Sequence, residues 1–234
     1  MRLATLQQEK SLILHDAASL CDATGSDQIG PCWFAPEYWY RMGKVVGEAP
    51  GRGSSVFIDA GNEQWVLRPY RRGGLMAKVS QSRYLWTGYE SSRAFRELRL
   101  TAWLFEQGLP VPRPVAASVT RHGLSYEAAL ITVRIPGARA LADLLTEDRA
   151  DSALLERVGA TIRRFHASHL DHVDLNARNL LVDEQEHVWL IDLDRCQLRQ
   201  PGKWQQANLD RLARSVNKFT ANPIMPAIRR GYGG

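Results

Sequence analysis

The sequence predicts an α+β protein of two lobes, the first (residues 1–135) mainly β with one helix and the second (136–234) mainly helical. Three observations lead there. β-like stretches around a single helical period fill the first half, Ile135-Pro136-Gly137 breaks the pattern, and the second half sets long amphipathic segments around a short strand-turn-strand. With 234 residues, 44% of them hydrophobic and 24% charged, the chain can bury a sizeable core as one large domain or two small ones.

Taken in order, Gly and Pro cluster at Gly47 to Ser55, Tyr70 to Gly74 and Gly108 to Pro114, which marks breaks between elements. Ser55 to Ala60 and Gln64 to Tyr70 are β-like and joined by Gly61-Asn62, a hairpin signal. Phe95, Leu98, Ala102 and Phe105 recur at helical spacing between Ser92 and Gln107, ahead of Gly108 as a cap. Strands are expected in the VAASVT run after Pro114 and from Ala128 to Ile135. In the second lobe the segment ARALADLL reads as helical, and Leu154, Leu155, Val158, Ile162 and Phe165 form one apolar face between about Asp151 and His169. Asn179 to Asp183 and His187 to Asp192 are short strands around a DEQE turn, and a last amphipathic helix is expected from about Gln205 to Lys218.

The net charge of +5 is unevenly placed: Arg68 to Arg99 holds eight basic residues against two acidic ones, and the rest of the chain is close to neutral. Such a stretch points to an anionic partner, with nucleic acid, phospholipid and phosphorylated small molecules all open on charge alone. Cys21, Cys32 and Cys196 lack a disulfide-like or zinc-like spacing and read as reduced thiols of a cytoplasmic protein. The short apolar run near the N-terminus ends at His15-Asp16, so no export signal is expected. No stretch approaches the roughly 18 apolar residues of a membrane span, so any membrane contact is expected to be peripheral.

The chemistry lies around the second-lobe hairpin. His172 to Asn179 has the form H-x-D-x4-N, and Asp192 follows after one complete strand-turn-strand. Phosphoryl transfer needs a carboxylate near the attacking hydroxyl and oxygen ligands that hold Mg²⁺ against nucleotide phosphates. Asp174 on the loop suits the first task; Asn179 at the start of one strand and Asp192 at the end of its partner suit the second. A protein kinase carries the same pattern as its catalytic loop and D-F-G aspartate, here D-L-D. On its own this pattern points to a kinase-like bilobal fold. In the first lobe Gly51-Arg52-Gly53-Ser54-Ser55 precedes the hairpin as a candidate phosphate-covering loop. Arg68 stands where a protein kinase has its strand lysine, with Glu97 as its expected carboxylate partner and Lys78 as the alternative cation. His166 is expected to pack under the catalytic loop and His172 to brace it by hydrogen bonds.

HVDLNARNLLVD and VWLIDLDRC, together with WVLRPYRRGGLMAK, SRYLWTG and FRELRL, resemble the lipopolysaccharide core kinases, specifically those acting on 3-deoxy-D-manno-octulosonic acid (Kdo), over roughly Trp33 to Lys218. The resemblance implies an α+β, reduced protein-kinase-like bilobal fold, with Asp174 as catalytic base, Asn179 and Asp192 as Mg²⁺ ligands, and the loop from Gly51 to Ser55 over the phosphates of ATP. It also implies phosphorylation of the 4-hydroxyl of the Kdo residue of Kdo-lipid A at the cytoplasmic face of the bacterial inner membrane. The basic first lobe would then meet anionic lipid, and no nucleic acid is expected as partner. About a dozen residues separate Asp194 from the last expected helix, which leaves little room for a protein-substrate platform. Two other readings stay open on the residues: a kinase of a soluble small molecule resembling aminoglycoside phosphotransferases, and a degenerate kinase-fold binding module.

Overall fold

The computed structural model describes residues 1–18, 29–49, 55–70 and 84–233. Gly51, Arg52, Gly53 and Ser54 of the candidate loop, Lys78, Cys21, and the basic residues Arg71, Arg72 and Arg83 lie outside the described residues. The chain forms two units, Met1–Ala102 with Arg113–Arg134, and Trp103–Pro112 with Ile135–Gly234.

The first unit is built on an antiparallel sheet. Its strands are β1 (Leu3–Gln8), β2 (Ser11–Asp16), β3 (Val45–Glu48), β4 (Val56–Asp59), β5 (Gln64–Pro69), β6 (Tyr84–Leu85), β7 (Pro114–His122) and β8 (Ser125–Val133). They run in the order β1-β2-β7-β8-β5-β4-β3, with β6 also paired to β8. The expected β4–β5 hairpin is present, with Ile58 opposite Trp65. Neighbouring residues alternate between the faces, as the pleat requires. Ile13, Trp65, Leu67, Ala129 and Ile131 pack on one face with Trp33, Phe34 and Trp39. These last three come from a 3₁₀ turn (Pro31–Phe34) and the short helix α1 (Pro36–Arg41). Leu14, Tyr70, Ala128 and Leu130 pack on the other face against Ala94, Phe95 and Leu98 of helix α2 (Arg93–Glu106). Burying Phe95 and Leu98 contributes about 1.5–3 kcal/mol each. Val115 and Ala116 share one face because a bulge follows Pro114. Phe105, expected on the apolar face of α2, is exposed, and Leu104 is buried instead; this last turn of the helix belongs to the second unit.

The second unit contains β9 (Arg139–Ala140), α3 (Leu141–Thr146), α4 (Ser152–Ala167), β10 (Leu170–Asp171), β11 (Leu180–Val182), β12 (Val188–Leu190), β13 (Gln197–Leu198), α5 (Lys203–Val216) and α6 (Met225–Gly233). The five apolar residues expected on one face of α4 are all buried. Asp151 caps the helix by accepting a hydrogen bond from Leu154 N at 2.7 Å. The segment expected to be wholly helical opens instead with strand β9, because Arg139 and Ala140 pair with Val182 and Leu181.

Several elements have no counterpart in the sequence reading, among them the β1–β2 hairpin and α6. Helix α6 crosses α4 at two glycines. A Cβ on Gly159 would fall 1.9 Å from Ile228 O, and one on Gly231 would fall 1.8 Å from Glu156 O. No Cβ fits there, so the backbones touch. His166 of α4 closes the same contact: Nδ1 lies 2.8 Å from Tyr232 Oη, and its ring packs edge-on against Trp204, centroids 5.0 Å apart. Its ring thus sits between α5 and α6 side chains, within electrostatic reach of Asp171 and His172 at the start of the catalytic loop.

Burial lowers the His166 pKa to about 4. A group whose pKa is depressed by folding binds fewer protons folded than unfolded between the two values, so stability rises with pH in that window. Stability is therefore expected to fall by roughly 1–2 kcal/mol between pH 7 and pH 5. Urea titrations at the two pH values check this, and His166→Phe should flatten the difference.

Candidate active site

In the second unit, the loop from His172 to Asn179 is closed by its own polar groups. Asn176 Oδ1 accepts from Arg178 N at 2.9 Å and Asn179 N at 3.2 Å, while its Nδ2 donates to Asp174 O at 2.9 Å. Asn179 Nδ2 donates to the same carbonyl at 3.0 Å. Both amides therefore hold the backbone carbonyl of residue 174, and Asp174 itself is exposed.

Strand register brings the next group alongside. Leu180 pairs with Leu190, and Ile191 N donates to Asn179 O at 3.0 Å, so Asp192 follows directly on the residue bonded to Asn179. Asp192 adopts φ 61°, a left-handed conformation that turns the chain at the strand end. His172 Nε2 donates to Ile191 O at 3.1 Å. This is the brace expected of His172, and burial keeps its pKa below the usual imidazole value, hence neutral near pH 7. Asp174, Asn179 and Asp192 thus belong to one hydrogen-bonded turn system.

The donor set suits a hard cation. The Asn179 amide nitrogen donates to Asp174 O, so its Oδ1 could serve a metal, and Asp192, two residues beyond the partner of Leu180, could supply a carboxylate. Among the described residues no three His, Cys, Asp or Glu side chains gather as a metal cage. Mg²⁺ needs none, since it takes one or two protein oxygens and fills its octahedron with phosphate and water.

Two contacts on α5, which the sequence reading missed, hold this loop at both ends. Before it, buried Asp171 accepts from Arg199 Nη1 at 2.8 Å and Asn208 Nδ2 at 3.2 Å. Within it, Ala177 N donates to Ser215 Oγ at 3.1 Å, and Ala177 O accepts from Ala142 N at 2.9 Å. Asn208 and Ser215 stand seven residues apart, two helical turns, and so share one face. The available signal was a buried-type asparagine inside the apolar stripe of Trp204, Leu209, Leu212 and Val216. Ser215→Ala is expected to lower kcat with little change in KM for ATP and to cost about 1–3 kcal/mol of stability, because it orphans the Ala177 N–H. Steady-state kinetics and urea denaturation check both, and Ser215→Thr should restore the rate.

In the first unit, Arg68 and Glu97 form an ion pair. Strand parity explains it: Leu67 faces the Trp33 side and Arg68 the α2 side, where Glu97 lies one turn from Ala94 and Thr101. The Glu97 side chain is 3% exposed. Tyr70 donates its hydroxyl to Glu97, and Arg68 stacks over the Tyr70 ring at 4.9 Å. Arg68→Met, which removes one cation from a buried carboxylate, is expected to cost up to about 3 kcal/mol. Arg68→Met with Glu97→Leu should recover most of that loss in urea denaturation. Ser55 is partly buried beside β4; it is the one residue of the candidate loop among those described.

Comparison with known proteins bears on this arrangement. Residues 36–228 match the model of the Lipopolysaccharide kinase (Kdo/WaaP) family. The chain is 47% identical over 201 residues to the 3-deoxy-D-manno-octulosonic acid kinase of Stenotrophomonas maltophilia (strain K279a), covering 85% of this chain and 80% of the relative. It is 43% identical over 183 residues to that of Vibrio cholerae serotype O1, 78% of each chain. With the kinase of Xylella fastidiosa (strain M23) it shares 39% over 218 residues, 93% of this chain and 87% of the relative. A solved structure of WaaP in complex with acyl carrier protein superposes with a TM-score of 0.54 at 16% identity, covering 81% of this chain and 79% of that one, which shows a shared kinase-like fold.

Proposed function

Because the chain belongs to the lipopolysaccharide kinase (Kdo/WaaP) family and is a kinase, we propose that it transfers the γ-phosphoryl group of ATP to the 4-hydroxyl of the Kdo residue of Kdo-lipid A, in lipopolysaccharide core biosynthesis. The observation that carries the reading is the turn system holding Asp174, Asn179 and Asp192 together.

Asp174 takes the proton of the sugar hydroxyl as its oxygen bonds to the γ-phosphorus, and the bond from that phosphorus to the β-bridging oxygen breaks, releasing ADP. Asn179 and Asp192 would hold Mg²⁺, which neutralises charge on the nucleotide phosphates when bound. Arg68, oriented by Glu97 and Tyr70, would donate to the phosphates, and the loop from Gly51 to Ser55 would cover them. His172 is neutral, buried and committed to Ile191 O, so it holds the loop and takes no proton from substrate.

No helix among the described residues is long and apolar enough to cross a membrane. A lipid-linked acceptor then calls for peripheral association with the cytoplasmic face of the inner membrane, and the basic stretch from Arg68 to Arg99 favours an anionic surface. The experiment is incubation with labelled ATP, Mg²⁺ and Kdo-lipid A beside lipid A lacking Kdo. Label entering only the Kdo-bearing lipid is expected, and equal labelling of both would defeat the Kdo assignment.

A further inference from the structure

Among the described residues, Leu124 and Leu85 are the large apolar side chains most open to water, 83% and 74% exposed. They are neighbours. Leu85 pairs with Ser125 across the β6–β8 ladder, and Trp86 N donates to Leu124 O at 2.9 Å. Leu85 and Trp86 belong to the SRYLWTG stretch that carries part of the family resemblance, and phosphoryl transfer gives that stretch no task.

The surroundings are those of a water–lipid boundary. The Trp86 ring packs edge-on against Tyr89 at 4.7 Å, and the Arg121 guanidinium lies 5.0 Å from the Trp86 centroid. Arg121 N donates to Lys10 O at 3.0 Å, so the β1–β2 and β7–β8 turns lie at the same end of the sheet. Lys10, Tyr89, Arg121, His122 and Gly123 line an open concavity of about 260 Å³ there. Glu127 engages His122 at 3.3 Å, and Glu9 shares the turn with Lys10, so the positive excess is small. Most of the affinity must then come from the leucines, with Lys10 and Arg121 adding a preference for phosphate.

We propose that this end of the sheet docks on an anionic phospholipid surface, with Leu85 and Leu124 entering the interface, Trp86 at headgroup depth, and Lys10 and Arg121 on headgroup phosphates. A stable protein partner would need about 800 Å² of complementary surface. Two leucines flanked by a tryptophan and two cations are too small for that and are sufficient for an interfacial anchor. The proposal deepens the lipid-linked acceptor of the proposed function and rests on it.

The test is co-sedimentation of the full chain, without ATP, with vesicles of phosphatidylethanolamine and phosphatidylglycerol, and with vesicles of phosphatidylcholine. Wild type should bind both and favour the anionic set. Leu85→Ser/Leu124→Ser should lose at least about tenfold of its partitioning on both, and Lys10→Gln should narrow the preference for the anionic set while leaving binding to phosphatidylcholine unchanged. Phosphorylation of detergent-dispersed Kdo-lipid A should be unchanged in the double variant; failure of wild type on that acceptor counts against the proposed function and leaves the vesicle result standing. Undiminished vesicle binding by the double variant overturns the proposal. So does wild type that ignores vesicles and self-associates in light scattering while the double variant is monomeric, which would make the patch a contact between copies.

Discussion

Asp174→Asn is expected to lower kcat by about 10²- to 10⁴-fold, the usual worth of a positioned general base, while ATP binding stays close to wild type. The structure makes this a clean substitution. The two amides that fix position 174, Asn176 Nδ2 and Asn179 Nδ2, bond its backbone carbonyl and not its carboxylate. An asparagine side chain therefore leaves the loop, the Asn179 orientation and the bond from Ile191 to Asn179 as they are. Only the capacity to accept a proton is lost. Single-turnover phosphorylation and nucleotide titration of the same variant check the two halves, and a near-normal rate would sink the assignment of the base.

The largest stability effect is expected where α4 and α6 cross. Gly231→Val or Gly159→Val must move a backbone, because the atoms in the way are main-chain atoms: Glu156 O for the first, Ile228 O and Tyr232 N for the second. A flexible side chain could swing aside; a helix backbone cannot without parting the helices. Losing that contact would also unseat His166 from Tyr232. More than about 4 kcal/mol is expected, enough to abolish soluble expression or to leave α6 detached from an otherwise folded chain. Gly233→Ala is the control. Nothing stands within 4 Å of its added Cβ, and alanine favours a helix, so its thermal midpoint should not fall.

The parts of the fold that were legible in the sequence are those where one period dominates. Helices α2 and α4 and the β4–β5 and β11–β12 hairpins carry their burial in a single stripe or alternation, and the expected spans lie close to the observed ones. The β1–β2 hairpin was not legible because β2 is buried on both faces, Ile13 on one and Leu14 on the other, so it reads as a short apolar run without alternation. Helix α6 was hidden by Pro226, Gly231 and Gly233, residues of low helix propensity; Gly231 is there because the crossing with α4 admits no side chain.

At the candidate site, the groups with a motif spacing were legible: Asp174, Asn179 and Asp192, joined in the structure through the hairpin register. Arg68 and Glu97 were legible by analogy with the strand lysine and helix carboxylate of a protein kinase, and the structure pairs them. Asn176, Asp171, Asn208, Ser215 and Tyr70 were not. They act by hydrogen bonds to backbone or to one another across up to 38 residues of sequence, and no local period encodes such a partner. A polar residue inside an apolar helical stripe, as Asn208 is, was the one hint, and it says only that a partner exists.

The central claim is transfer of phosphate to the Kdo sugar, and phosphorus–proton correlation NMR of the product made from ATP, Mg²⁺ and Kdo-lipid A tests it most directly. The account predicts one new phosphomonoester signal coupled to the proton at carbon 4 of Kdo. A new phosphorus coupled to a glucosamine proton of lipid A, or ADP released with no phosphorylated lipid, would contradict it.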